Sequence, residues 1–181
     1  MDRQTPQQLK KKAESAYHAK EYSRAAELFG EAARAFTAAG DAPGAAEMSS
    51  NRSVALLQAG DAEGALAAAQ GLSQVFEQSG DLKRQALALG NEAAALNALG
   101  KTQEALEKYQ ASSDLLRQIG DHDTRAMVLK SISEIQLRQG KQLEALATMD
   151  AALNNRKKLS APEQLLKKLL KIPFQMLNRG G

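Results

Sequence analysis

The sequence predicts an all-α fold, an α-solenoid of repeated helical hairpins, and three observations predict it. Glycine recurs at Gly40, Gly60, Gly80, Gly100, Gly120 and Gly140, a constant spacing of 20 residues. The intervals between are dense in Ala, Leu, Glu, Gln and Lys, all good helix formers, and Pro43 is the only proline between Pro6 and Pro162. Small residues then recur at twice that spacing, every 40 residues. The repeating unit is therefore a pair of helices.

Each element follows in order from this punctuation. Glycine suits the left-handed residue that ends a helix, and an aspartate after it can accept backbone N–H groups at the start of the next. A first helix is expected from Gln7 to the turn at Lys20-Glu21, and a second from there to Gly40. Asp41, Asp61, Asp81 and Asp121 start the helices that follow Gly40, Gly60, Gly80 and Gly120, each interval being one helix. Four hairpins result, at about 7–40, 41–80, 81–120 and 121–157, inside a repeat domain expected over 1–159.

The hairpins close at matched small sites. Five residues past the turns at Lys20, Gly60, Gly100 and Gly140 stand Ala25, Ala65, Ala105 and Ala145. Seven residues before the same turns stand Ala13, Ser53, Ala93 and Ser133, so the two helices of each unit can approach closely. Leu66, Leu106 and Leu146, with Phe29, Tyr109, Met149 and the smaller Ala69, continue the buried stripe at helical spacing.

Composition narrows the function. The chain has 181 residues, enough for a sizeable core, and 25% of them are charged, the polarity of an ordinary globular chain. No run of 18 apolar residues and no apolar signal core is present, so a soluble, cytoplasmic protein is expected. With no cysteine and only His18 and His122, thiolate metal sites, cysteine nucleophiles and histidine triads lack material, and no catalytic residue, cofactor or metal site is assigned. Asp121-His122-Asp123 falls where an aspartate cap is expected, and Gly40 to Gly44 lacks the lysine of a phosphate loop. The net charge of +3 divides into +6 over residues 154–181 and −3 over residues 1–153. Basic charge confined to one short segment argues against nucleic acid as partner.

The stretch 88–109, ALGNEAAALNALGKTQEALEKY, resembles the tetratricopeptide repeat. It is similar in particular to the 40-residue variety of kinesin light chains and spindle-orientation adaptors, and the likeness extends over roughly 7–155. It departs from that pattern at Lys20-Glu21, at Ala69, and at Ala16 and Gln136, which replace a large apolar residue. The resemblance implies four hairpins wound into a right-handed superhelix whose first helices line a concave groove. It also implies a non-enzymatic scaffold or adaptor that binds a segment of a protein partner there.

Helical spacing opposite the core stripe assigns groove residues. They are Gln7, Lys11, Glu14 and His18 in the first unit, and Glu47, Asn51, Val54 and Gln58 in the second. Leu87, Asn91, Ala94 and Ala98 follow in the third, and Met127, Ser131, Glu134 and Arg138 in the fourth. Lys11, Asn51, Asn91 and Ser131 form a polar row whose amides can hold an extended peptide, with Leu87 and Met127 as an apolar contact. Alternatively the asparagines are solvated and Leu87 and Met127 pack on neighbouring helices. Tetratricopeptide clamps for a chaperone's carboxylate terminus resemble this chain at Lys10 and Asn51, but Glu14, Leu87 and Asn91 replace an asparagine, a lysine and an arginine. That clamp is broken.

Residues 160–181 form a separate basic amphipathic segment. Ser160, Pro162 and Glu163 make a helix start, and Leu165, Leu166, Leu169 and Leu170 oppose Lys167, Lys168 and Lys171. Pro173 is expected to end or kink this helix, with Phe174, Met176 and Leu177 as a second apolar patch. A cap on the last hairpin is the first expectation; attachment to an anionic membrane or a partner's groove is the alternative. Partners are thus a protein or peptide, with the chain a monomer or weak homo-oligomer. A self-assembling array stacked through its open ends is the second functional class.

Overall fold

The computed structural model describes residues 4–156 and 158–177, with side chains given through residue 170. The described residues form helices and no strand. The chain divides into two compact units, Met1–Leu115 and Leu116–Gly181. The first contains α1 (Pro6–His18), α2 (Tyr22–Ala38), α3 (Ala42–Gln58), α4 (Ala62–Ala69), α5 (Leu72–Gln78), α6 (Leu82–Ala98) and most of α7 (Thr102–Gln118). The second contains α8 (His122–Arg138), α9 (Gln142–Asn155) and α10 (Ala161–Leu177). This is the all-α repeat of hairpins that the glycine comb predicts.

The joints form as the sequence implies. All six periodic glycines are left-handed, with φ between 69° and 86°. At Gly40 the glycine N–H donates to Thr37 O and the Asp41 N–H to Phe36 O, the two bonds that satisfy a helix's last carbonyls. Asp41 then accepts the Gly44 N–H at 2.8 Å, and Asp61, Asp81 and Asp121 do the same for Gly64, Arg84 and Thr124. One aspartate therefore closes one helix with its backbone and opens the next with its side chain.

Lys20 occupies this place in the first hairpin, in the same left-handed conformation with φ 62°. Its Cβ meets the steric cost that glycine avoids. Lys20→Gly is expected to stabilise the chain by about 1 kcal/mol, read as a higher urea midpoint at unchanged slope, because Lys20 is exposed and gives up no packing.

Two expectations are corrected. The interval from Asp61 to Gly80 is not one helix: it breaks at Gln70-Gly71 into α4 and α5. Gln70 is extended (ψ 134°) and Gly71 left-handed (φ 78°), so an off-period glycine supplies a conformation the middle of a helix cannot hold. At the other end, α10 runs through Pro173 to Leu177, so the proline does not end it. A proline forfeits its own N–H bond, and here the helix continues on both sides of it. The side chains of Lys171, Phe174, Met176 and Leu177, and residues Lys157 and Arg179, lie outside the described set.

Packing within the first unit joins α1 to α2, α2 to α3 and α3 to α4, while α6 rests on α3, α4 and α5. Ala13, Ala25, Ala65, Ala93 and Ala105 are all wholly buried. The serines at the matched sites do more than stay small. Ser53 donates to Ala65 O across the α3–α4 pair, and Ser133 to Ala145 O across α8–α9, both at 2.8 Å. Each hydroxyl reaches the carbonyl of the alanine that lets the helices approach. Phe36 and Phe76, one period apart, are also buried, and the sequence reading passed over them. Phe76 packs with Ala46 and Ala88, against Leu72 and Val75.

In the second unit α8 pairs with α9, and α10 packs on α9. Leu170 is buried and Leu166 lines a cavity of about 160 Å³ with Met127, Met149 and Leu153. The Ser160 hydroxyl and N–H both donate to Glu163 at 2.7 and 2.8 Å, and Arg156 pairs with Glu163 at 2.6 Å. The Ser160 hydroxyl foremost, then its N–H, with help from Arg156, hold the Glu163 carboxyl below the usual range against a smaller desolvation effect. A lowered carboxylate pKa stabilises the folded form above the unfolded value of about 4.3 and loses that stabilisation as pH falls through the folded one. The Glu163 side-chain carbon, followed by NMR, is thus expected to titrate below about pH 4.3, with α10 loosening in the same step. Glu163→Gln should abolish that step.

Candidate functional site

Three helices of the first unit, α1, α3 and α6, carry the predicted groove residues of the first three hairpins. A charge ladder links them at one level. Glu47 on α3 accepts from Lys10 of α1 at 2.6 Å and from Arg84 of α6 at 2.9 Å, using one carboxylate oxygen for each. Arg84 also lies 3.5 Å from Asp81, and Lys10 only 4.0 Å from Glu14. Such part-exposed pairs contribute little singly, but a shared carboxylate fixes three side chains at once. Glu47, read from the sequence as a peptide contact, is thus already engaged by two cations. The spacing of both pairs is 37 residues, one helical turn short of the 40-residue period.

Beside the ladder lie two cavities with Asn51 in the wall of both. One, of about 190 Å³, is lined by Glu14, Tyr17, His18, Phe29, Asn51 and Val54. The other, of about 460 Å³, has Phe76 and Leu87 with Ser50, Asn51 and the charged group at Glu47, Asp81, Lys83 and Arg84. Tyr17 stands edge-on to Tyr22 and His18, with centroids 5.5 and 6.3 Å away. Leu87 is 40% exposed, large for an apolar side chain.

The remaining predicted residues are placed as follows. Asn91 donates its amide N–H to Ser50 Oγ at 2.9 Å, so that amide ties α6 to α3. Lys11 lines a separate cavity of about 540 Å³ with Lys12, Ser15, Glu21, Arg24 and Leu28. One residue is 100° of helix, and Lys10 rather than Lys11 faces the ladder. Gln7, Gln58 and Ala98 are exposed and Ala94 is half-buried. On α8, in the second unit, Ser131 donates to Met127 O at 3.4 Å and Glu134 lies 3.9 Å from Lys130. Met127 is 63% exposed and Arg138 is exposed as well. The sequence reading missed Lys10 as a ladder residue, Arg84, and the floor residue Phe76; the recurrence of Phe36, Phe76 and Leu116 every 40 residues was its available signal.

Most of α6 and the helices that follow it match a known repeat. The tetratricopeptide repeat family model covers residues 84–158, from within α6 through α9. Over that stretch the chain matches tetratricopeptide repeats. No curated protein matches it. Tetratricopeptide repeats are protein-interaction modules and typically non-catalytic, which agrees with a site built from amides, an aromatic wall and committed ion pairs. No described helix of the chain is long and apolar enough to cross a membrane.

Proposed function

We propose that this chain is a scaffold or adaptor that holds an extended segment of a partner protein along α1, α3 and α6. The observation that carries the reading is Asn51, whose side chain is common to two adjoining cavities. An amide both donates and accepts, so at that point it can pair with a peptide's backbone irrespective of its sequence. The cavities on either side then receive side chains. Expected trough contacts are Glu14, Asn51, Val54 and Leu87, with Glu47 and Asn91 as bracing residues.

A carboxylate-terminus clamp is disfavoured. The Lys10 amine is held by Glu47 at 2.6 Å, and Glu14 presents negative charge where such a ligand would lie. The test is Asn51→Ala, checked for fold by circular dichroism, against a peptide segment mapped from a captured partner. Affinity should fall about five- to tenfold, the worth of one or two peptide hydrogen bonds. Unchanged affinity overturns the reading.

A further inference from the structure

We propose that the cavity between α1, α2 and α3 takes one cationic side chain, lysine or arginine, of the bound segment, and that an apolar residue about three positions away seats on Leu87. This rests on the peptide-binding reading above and names the chemistry of its ligand.

The first cavity has an apolar body and an acidic mouth. Phe29 is its buried floor, Tyr17 and Val54 are half-buried walls, and Glu14 is the only carboxylate among its lining residues. The nearest cation to Glu14 is Lys10, whose amine is 4.0 Å away and spends its short contact, 2.6 Å, on Glu47. Glu14 therefore keeps acceptor capacity for an incoming charge. Lysine and arginine match this shape, because their methylene stems pack on apolar walls while the head reaches a polar rim. An aromatic wall adds attraction for a cation. A ligand carboxylate would be repelled by Glu14, and an apolar side chain there would leave that carboxylate partly desolvated without a partner. At about 190 Å³ the cavity has room for one side chain and not for a helix.

The second cavity is different in kind. Its lining cation Arg84 faces Glu47 and Asp81, which balance it, and its exposed apolar surface is Leu87, beside the buried Phe76. The cavities lie on either side of α3, one helix spacing apart. Packed helices are about 8–10 Å apart, and a peptide extended in the polyproline II conformation advances about 3.1 Å per residue and returns to the same face every third residue, so the two side chains belong about three residues apart.

The experiment selects a displayed library of random twelve-residue peptides on the full chain, then titrates a selected peptide and its variants. Selected sequences are expected to carry Lys or Arg about three positions from Leu, Ile, Met or Phe. Replacing that cation by Ala should weaken binding about five- to tenfold, and in the Glu14→Gln protein the same replacement should matter less than about twofold. Glu14→Lys should reverse the preference toward an acidic residue. Peptides that bind without a cationic preference, or whose preference survives Glu14→Gln, overturn this assignment while leaving the trough reading intact. Failure to select any peptide whose binding depends on Asn51 overturns both.

Discussion

Phe76→Ala is expected to remove about 4 kcal/mol of stability, the largest effect of any single substitution considered. The ring is 1% exposed and fills the space where α5 meets Ala46 of α3 and Ala88 of α6. Those neighbours are methyl-sized and cannot expand into the void, so a cavity term adds to the lost transfer energy. Thermal unfolding should shift down by roughly 10 °C for a chain of this length. Phe76→Leu should recover more than half of the loss. A Phe76→Ala protein with unchanged melting temperature would show that α5 is not held through this ring.

Ala65→Leu is expected to cost about 3 kcal/mol for the opposite reason. Ala65 is wholly buried between α3 and α4, and its carbonyl accepts the Ser53 hydroxyl at 2.8 Å. Three added carbons force the helices apart and stretch that bond as well. Ser53→Ala alone should cost about 1 kcal/mol, the net worth of one hydrogen bond. Ala67→Leu, at an exposed position of the same helix, is the control and should change stability by less than about 0.5 kcal/mol. Chemical denaturation of the three variants separates crowding from bond loss.

What the sequence made legible was local or strictly periodic. A left-handed φ at Gly40 and a side-chain cap at Asp41 depend on the chemistry of two neighbouring residues, and both form as expected. The alanines at 25, 65, 105 and 145 repeat because each hairpin faces the same steric limit, and all are buried. The break at Gln70-Gly71 was missed because Gly71 stands off the 20-residue comb, amid alanines that favour a helix. The trough was less legible than the core. Its ladder pairs residues 37 apart, so aligning the repeats at 40 put Glu47 beside Leu87 and hid Arg84. Lys10 and Lys11 are chemically identical, and only the position of Glu47 in space distinguishes which one is fixed.

The aspartate that serves two helices at once leaves the connection no slack. Lengthening Gly40-Asp41 by a single residue would separate the backbone bond to Phe36 from the side-chain bond to Gly44, and one residue of added helix turns every later side chain by about 100°. Ala46 and Met48, now inward, would swing toward water while polar neighbours turned in. Evolution of such a chain should therefore tolerate gain or loss of whole hairpins far better than a one-residue insertion at any joint.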